Sequence, residues 1–274
     1  MPSAESLTPD SRFTGLFIGP KHSGKTVAAC SFPHPIKVFD FDGRIRGILG
    51  ASWIEKKGID YTYYPPKIGK TDTSTFAKLN SDLEGLLMQC NSGQCPYKTV
   101  IIDSLTASCF ALVCEATSLT HTIGGKGEKK SGKFLGTMAM PGPEDYGFEA
   151  QGTYQLIAFL RSLPIANVIV TAHVVEKYGK VDPDNPFSES VVIGEKLSLR
   201  DKIGVNIGIY FDNIFRFDRR MNGNDEHFYA RFRSDLANTS FKELPDGDVD
   251  ITGQSFYSYM MSRLTLDQSM GVAR

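Results

Sequence analysis

This chain of 274 residues lacks several things, and each absence narrows what it can be. No apolar run approaches the length of a membrane span, and the opening stretch MPSAESLTPDSR has no apolar signal core. The expectation is a cytoplasmic protein that makes no use of a membrane. There is no internal repeat and no low-complexity tract, so a solenoid or a disordered array is excluded. Charge of one sign is missing too: 30 Lys and Arg face 31 Asp and Glu, for a net charge of −1. No global field draws the chain to DNA or to anionic lipid, and any nucleic-acid contact needs a local basic patch. Cysteines number five, an odd count without a secretory signal, which predicts free thiols in a reducing compartment. Cys90 and Cys95, followed by Cys109 and Cys114, faintly resemble a zinc site. The second pair falls in a predicted helix, where a five-residue step puts the two on different faces, so buried thiols are expected instead.

Short apolar runs alternate with helical patterns over the first two thirds of the chain. TGLFI (Thr14 to Ile18), IKVFDFD (Ile36 to Asp42), KTVIIDS (Lys98 to Ser104) and ANVIVTAH (Ala166 to His173) read as buried strands. Helices are predicted from about Lys25 to Phe32, from Thr73 to Cys90, after Ser104 to about Leu119, and from Tyr146 to Leu163. In the last, Ala150, Tyr154, Ile157 and Leu160 step by three and four, and Pro164 ends the pattern. The stretch 121–145 reads as a loop, and 174–191 is polar and contains proline. GIYFDNIFRFD and EHFYARFRS flank Asn222-Gly223, a strong hairpin signal. The fold class predicted is α/β, a mostly parallel twisted sheet flanked by helices with an antiparallel hairpin at one edge. One domain over 1–274 is the economical reading, its core about 12–235 and 236–274 a peripheral extension.

The stretch GPKHSGKT, Gly19 to Thr26, meets the pattern G-x-x-x-x-G-K-[ST] between a predicted strand and a predicted helix. In that context Gly19, Pro20, Lys21, His22, Ser23, Gly24, Lys25 and Thr26 form a loop whose backbone N–H groups cradle phosphates. Lys25 reaches the β and γ oxygens and Thr26 is a ligand for Mg²⁺. Asp103, where TVIID leaves the core, is the candidate second acid for the metal, although an Asp before Ser is equally a helix N-cap. Asp40 and Asp42 end the second strand two residues apart, so as strand residues they share a face, one as base and the other as a structural acid. His173, at the end of VIVTAH, either meets a γ-phosphate or is satisfied by a nearby backbone group.

In order and spacing GPKHSGKT, VFDFD, TVIIDS, VIVTAH and YARFRSD look like the RecA-like P-loop ATPases. The resemblance is nearest to the short phage-type ATPases of single-strand annealing and recombination, little more than a RecA core. It covers about residues 12–235, and for a phage-encoded chain the cytoplasm is the host's. It implies ATP and Mg²⁺ as ligands, and a catalytic acid at Asp42, here an aspartate where the family has a glutamate. It also implies His173 as γ-phosphate sensor, with Val174 to Val191 as a mobile loop. Arg231 and Arg233, spaced by one on a late strand, would complete a neighbouring subunit's site. That implies a homo-oligomer with ATP between subunits, although charge protecting an edge strand explains them as well. Single-stranded DNA is the implied partner, with a single-strand-binding or replication protein as another. Lys126, Lys129, Lys130 and Lys133, offset only by Glu128, give one loop a local charge of +3, though such a loop is as readily just solvated. Two further readings compete: a nucleotide-dependent switch or loader that docks a replication partner, and a nucleotide kinase with Arg44 and Arg46 as its clamp.

Overall fold

A run of consecutive apolar residues needs cover on both of its faces, and the strands here receive it. The computed structural model describes residues 12–66, 75–123, 134–135, 138–139, 141–181 and 188–271. Its parallel strands are β1 (Phe13–Gly19), β2 (Ile36–Asp40), β3 (Ile59–Tyr63), β4 (Thr99–Asp103), β7 (Asn167–Lys180) and β9 (Asn213–Asn222). Between β4 and β7 in the chain lies a small antiparallel pair, β5 (Phe134–Leu135) with β6 (Met138–Ala139). The outer strands are β10 (Asp225–Arg231) and β12 (Asp248–Asp250), and the order across the sheet is β12-β10-β9-β1-β7-β4-β2-β3. Neighbours from β3 to β9 pair parallel, while β10 and β12 run antiparallel. A two-residue β11 (Asn238–Thr239) pairs with β9. The expected class is the one observed: a mostly parallel sheet flanked by helices, with an antiparallel hairpin at one edge.

Alternation along each strand sends its side chains into two cores. Leu16, Ile18, Val100, Ile102, Val168 and Val170 face α2 (Thr75–Asn91), α3 (Leu105–Ile123) and α4 (Pro143–Ser162). Phe17, Ile101, Ile169, Phe215 and Phe217 face α1 (Lys25–Ala29) and α6 (Phe256–Gly271). A short α5 (Asp201–Asn206) precedes β9. The expected extension is therefore not peripheral at residues 256–264. Phe256, Met260 and Leu264 recur every fourth residue along α6 and are all buried. The Phe256 ring lies 5.1 to 5.5 Å from those of Phe17, Phe215 and Phe217. Phe256→Ala is expected to cost about 3–5 kcal/mol, the price of a large ring removed from a closed core. A urea titration reads this as a fall in midpoint at unchanged slope, and a loss under about 1 kcal/mol would mean the helix is only loosely docked.

Three local expectations change. Helix α1 stops at Ala29, where Phe32 was expected. Strand β7 does not stop at His173 but runs to Lys180 and pairs with β8 (Ser190–Leu197), so the expected loop is an antiparallel arm. Val175, Tyr178, Val191, Val192 and Ile193 supply the β propensity, which the surrounding charged residues conceal in a count of composition. Arg216 on β9 grips Glu195 at the root of this arm, with Nε 2.6 Å from Oε2. Cys90 and Cys95 form a disulfide, which corrects the expectation of free thiols for those two. A turn at Gly93, with φ +76°, folds the chain back so that they meet. Cys30, Cys109 and Cys114 take part in no disulfide among the described residues. Among the described residues no helix is long and apolar enough to cross a membrane, and no group of three or more His, Cys, Asp or Glu is placed to hold a metal alone. Lys126, Lys129, Lys130 and Lys133 lie outside the described residues.

Candidate active site

Strand β1 ends at Gly19, and the turn that follows leaves no room for a side chain. A Cβ there would lie 2.2 Å from the Phe217 carbonyl oxygen and 2.7 Å from Ser23 Oγ, at φ +156°. Gly24, at φ +87°, lies against the Phe228 ring, which a Cβ would meet at 3.1 Å. His22 between them is left-handed as well. The bend opens a cavity of about 250 Å³ lined by Lys21, His22, Ser23, Gly24, Lys25 and Thr26. Asp42, Asp103 and His173 line the same cavity, so residues from four separate elements meet at the C-terminal ends of parallel strands. Gly19 and Pro20 take part through their carbonyls. Lys25 Nζ donates to Gly19 O at 2.9 Å, to Pro20 O at 2.6 Å and to Ser23 Oγ at 3.3 Å. With α1 only five residues long, its macrodipole is small, and the buried positive charge at the cradle is that of Lys25. Burial lowers that ammonium from the ordinary 10.5 to about 8, against the pull of Asp103 and Asp42.

Asp103 is the buried end of β4. Its Oδ2 accepts from Thr26 Oγ1 at 2.9 Å and its Oδ1 from Thr171 Oγ1. Burial pushes its carboxyl upward, opposed by these hydroxyls. A hydroxyl and a carboxylate side by side beside a lysine are a hard-oxygen donor set. They suit Mg²⁺, which takes one or two protein oxygens and completes its shell with phosphate and water.

Asp40 and Asp42 part company, which corrects the expectation that they share a face. Strand β2 ends at Asp40, whose carboxylate turns back to accept from Gly43 N at 2.7 Å and Ile45 N at 3.3 Å. That carboxylate is the structural acid, held in a turn of the kind aspartates favour. Phe41 and Asp42 both donate their N–H groups to Asp103 O, which pins Asp42 across the end of β4. Asp42 Oδ2 lies 3.1 Å from His173 Nε2, and His173 N donates to Thr106 Oγ1 at 3.0 Å. Burial works against the Asp42 carboxylate. The hydrogen bond and charge of His173, with help from Ser104 and Arg44, still hold it below the ordinary carboxylate range. An ionised carboxylate only accepts, so the proton of this contact is on Nε2.

Arg233 is engaged within its own chain. Its guanidinium holds Leu244 O at 2.8 Å and Phe241 O at 3.1 Å and pairs with Asp246, clamping the turn after β11. Arg231 forks onto Asp248 of β12, at 2.5 and 2.9 Å. Neither lines the cavity. The arginines that do line it are Arg44 and Arg219, with Arg219 held by Glu226 at 3.0 Å. Arg44 was legible only as a kinase clamp, two residues after Asp42. Arg219 carries no local signal, because only the pairing of β9 with β1 brings the hairpin over the cradle.

No family model and no curated protein matches the sequence. Among solved structures the chain is similar to KaiC-like protein PH0186 from the hyperthermophilic archaeon Pyrococcus horikoshii OT3. They share 14% identity over 90% of this chain and 92% of that one, with a TM-score of 0.43. It is also similar to the flagellar accessory protein FlaH from Methanocaldococcus jannaschii, at 11% identity over 87% and 84% of the two chains and a TM-score of 0.39. The functional reading below rests on the site's own geometry.

Proposed function

We propose that this chain is a RecA-like P-loop ATPase that acts on single-stranded DNA in recombination or annealing of the phage type. One observation carries the ATPase part: Lys25, Thr26, Asp103 and Asp42 converge on a single cavity at the ends of parallel strands. Lys25 neutralises charge on the β- and γ-phosphates. Thr26 and Asp103 hold Mg²⁺, which when bound offsets the charge that builds on the phosphoryl oxygens. Asp42 takes the proton of the water that attacks the γ-phosphorus as the bond to the bridging oxygen breaks, leaving ADP and phosphate. His173 orients that carboxylate through Nε2. Arg231 and Arg233 would act in trans on a neighbouring subunit's site by leaving their own partners, Asp248 and Asp246.

The DNA part is supported by the lysines at 126, 129, 130 and 133 and by the continuity of β7, which leads from His173 straight into the exposed arm. Phosphate release from Mg-ATP is expected to rise when a single-stranded oligonucleotide is added, and binding of that oligonucleotide is expected to weaken steeply with salt. A hydrolysis rate indifferent to DNA at every salt concentration would remove this part and leave the ATPase standing. One observation favours a second reading, a nucleotide-dependent switch that docks a replication partner: the candidate base is a short aspartate already tied to His173. Partner capture that needs ATP but proceeds at negligible turnover selects it.

A further inference from the structure

A second cavity, of about 440 Å³, adjoins the phosphate cavity and shares Gly24, Val27, Gly47, Glu226 and Phe228 with it. Its remaining walls include Trp53, Ile251 and Phe256. We propose, resting on the nucleotide reading above, that this second cavity receives the base and ribose of the triphosphate held in the cradle, with Phe228 and Trp53 as its aromatic walls.

Direction comes first. Asp42, Asp103 and His173 line only the phosphate cavity, so the reacting end of the triphosphate belongs there. The other end must leave past Gly24 and Val27, and the second cavity begins at those residues. Chemistry comes second. Most of its walls are apolar or glycine, and its volume falls within the roughly 300–1,000 Å³ of small-ligand sites. Two of its polar groups are already engaged: Glu226 with Arg219, and Thr252 Oγ1 accepting from Phe228 N at 2.8 Å. Recognition there is by stacking on a flat π-face, which Trp53 and Phe228, both half-buried, are able to supply. Neither ring has a part in the chemistry proposed for the cradle.

Trp53 is the only tryptophan in the chain, so it reports on its own cavity. Its emission is expected to change on addition of Mg-ATP and to stay constant on addition of Mg-tripolyphosphate, a probe with the same phosphate chain and no base. Calorimetric titration should show ATP binding the wild type at least about tenfold tighter than tripolyphosphate. In Trp53→Ala and in Phe228→Ala that ratio is expected to fall by about fivefold to a hundredfold, the loss of one stacking partner. A ratio is used because a partly unfolded variant loses both ligands equally. An unchanged ratio in both variants overturns the proposal. So does equal affinity of the wild type for the two probes, and if Trp53 emission then follows protein concentration the cavity holds a side chain of a second copy. If neither probe binds the wild type, it is the nucleotide reading itself that has failed.

Discussion

Lys25→Ala is expected to weaken ATP binding by about one to two orders of magnitude and to bring phosphate release to background, with or without single-stranded DNA. The first figure is what a charged hydrogen-bond donor contributes when its partner is left without it, about 1.5–3 kcal/mol. The loss of turnover follows because no other cation is as deeply placed at the loop. Without a ligand, Lys25 is spent on two carbonyls and a hydroxyl of its own turn. Its lowering from 10.5 to about 8 is worth roughly 3 kcal/mol against the charged form. The sign of the linkage follows: between about pH 8 and 10.5 the folded chain binds fewer protons here than the unfolded chain. This residue's contribution to stability therefore rises with pH over that window, and below it the buried charge is a cost. Two outcomes follow from one substitution. Function is lost, while the melting temperature of the nucleotide-free protein at pH 7 holds or rises. Wild-type affinity for ATP should in turn decline as pH rises beyond about 8, because the amine loses its proton. Equal hydrolysis by Lys25→Ala and wild type would dismantle the site assignment.

Asp42→Asn should cut turnover by about 10²–10⁴-fold, the usual share of a general base, and leave the affinity for ATP nearly unchanged. The amide keeps the shape and the contact with His173 but cannot take a proton from water. The wild-type carboxylate is held below its ordinary value of 3.8, so this group alone gives no fall in rate between neutral pH and about pH 5. His173→Ala removes the strongest of the influences that lower it, and burial, which raises it, is left to prevail. The acid limb of the rate profile is then expected to move upward toward neutrality. A purely structural histidine would change the rate or the stability and leave that limb where it was. Rate profiles of the two single variants, measured under single-turnover conditions, separate the cases.

Much of the site was legible because its signals are local. GPKHSGKT states a bend and its charge within eight residues, and TVIID states a buried strand with an acid at its tip. The distinction between Asp40 and Asp42 was not legible. It depends on where β2 stops, and that is decided by the backbone amides of Gly43 and Ile45 capturing one carboxylate. The arm was hidden for a related reason: β8 lies ten residues and more beyond β7, and neither half is a persuasive strand without the other. The surroundings of Arg233 were not legible either. A spacing of two residues says which side chains share a face but not what waits opposite them, and here it is a turn of the same chain.

By itself, then, the order of residues determined the glycine-rich bend after the first strand, the alternation of buried strands with helices, and the lysine and acid that flank the bend. These follow from steric demands and from periods of two and 3.6 that act over a few residues. Tertiary structure alone decided which aspartate faces the cavity, that His173 meets it, that α6 belongs to the core, and that Phe228 and Arg219 cross over the loop. Those choices come from contacts between segments some tens to two hundred residues apart. Only the packing of one open sheet between two layers of helices sets which of them form.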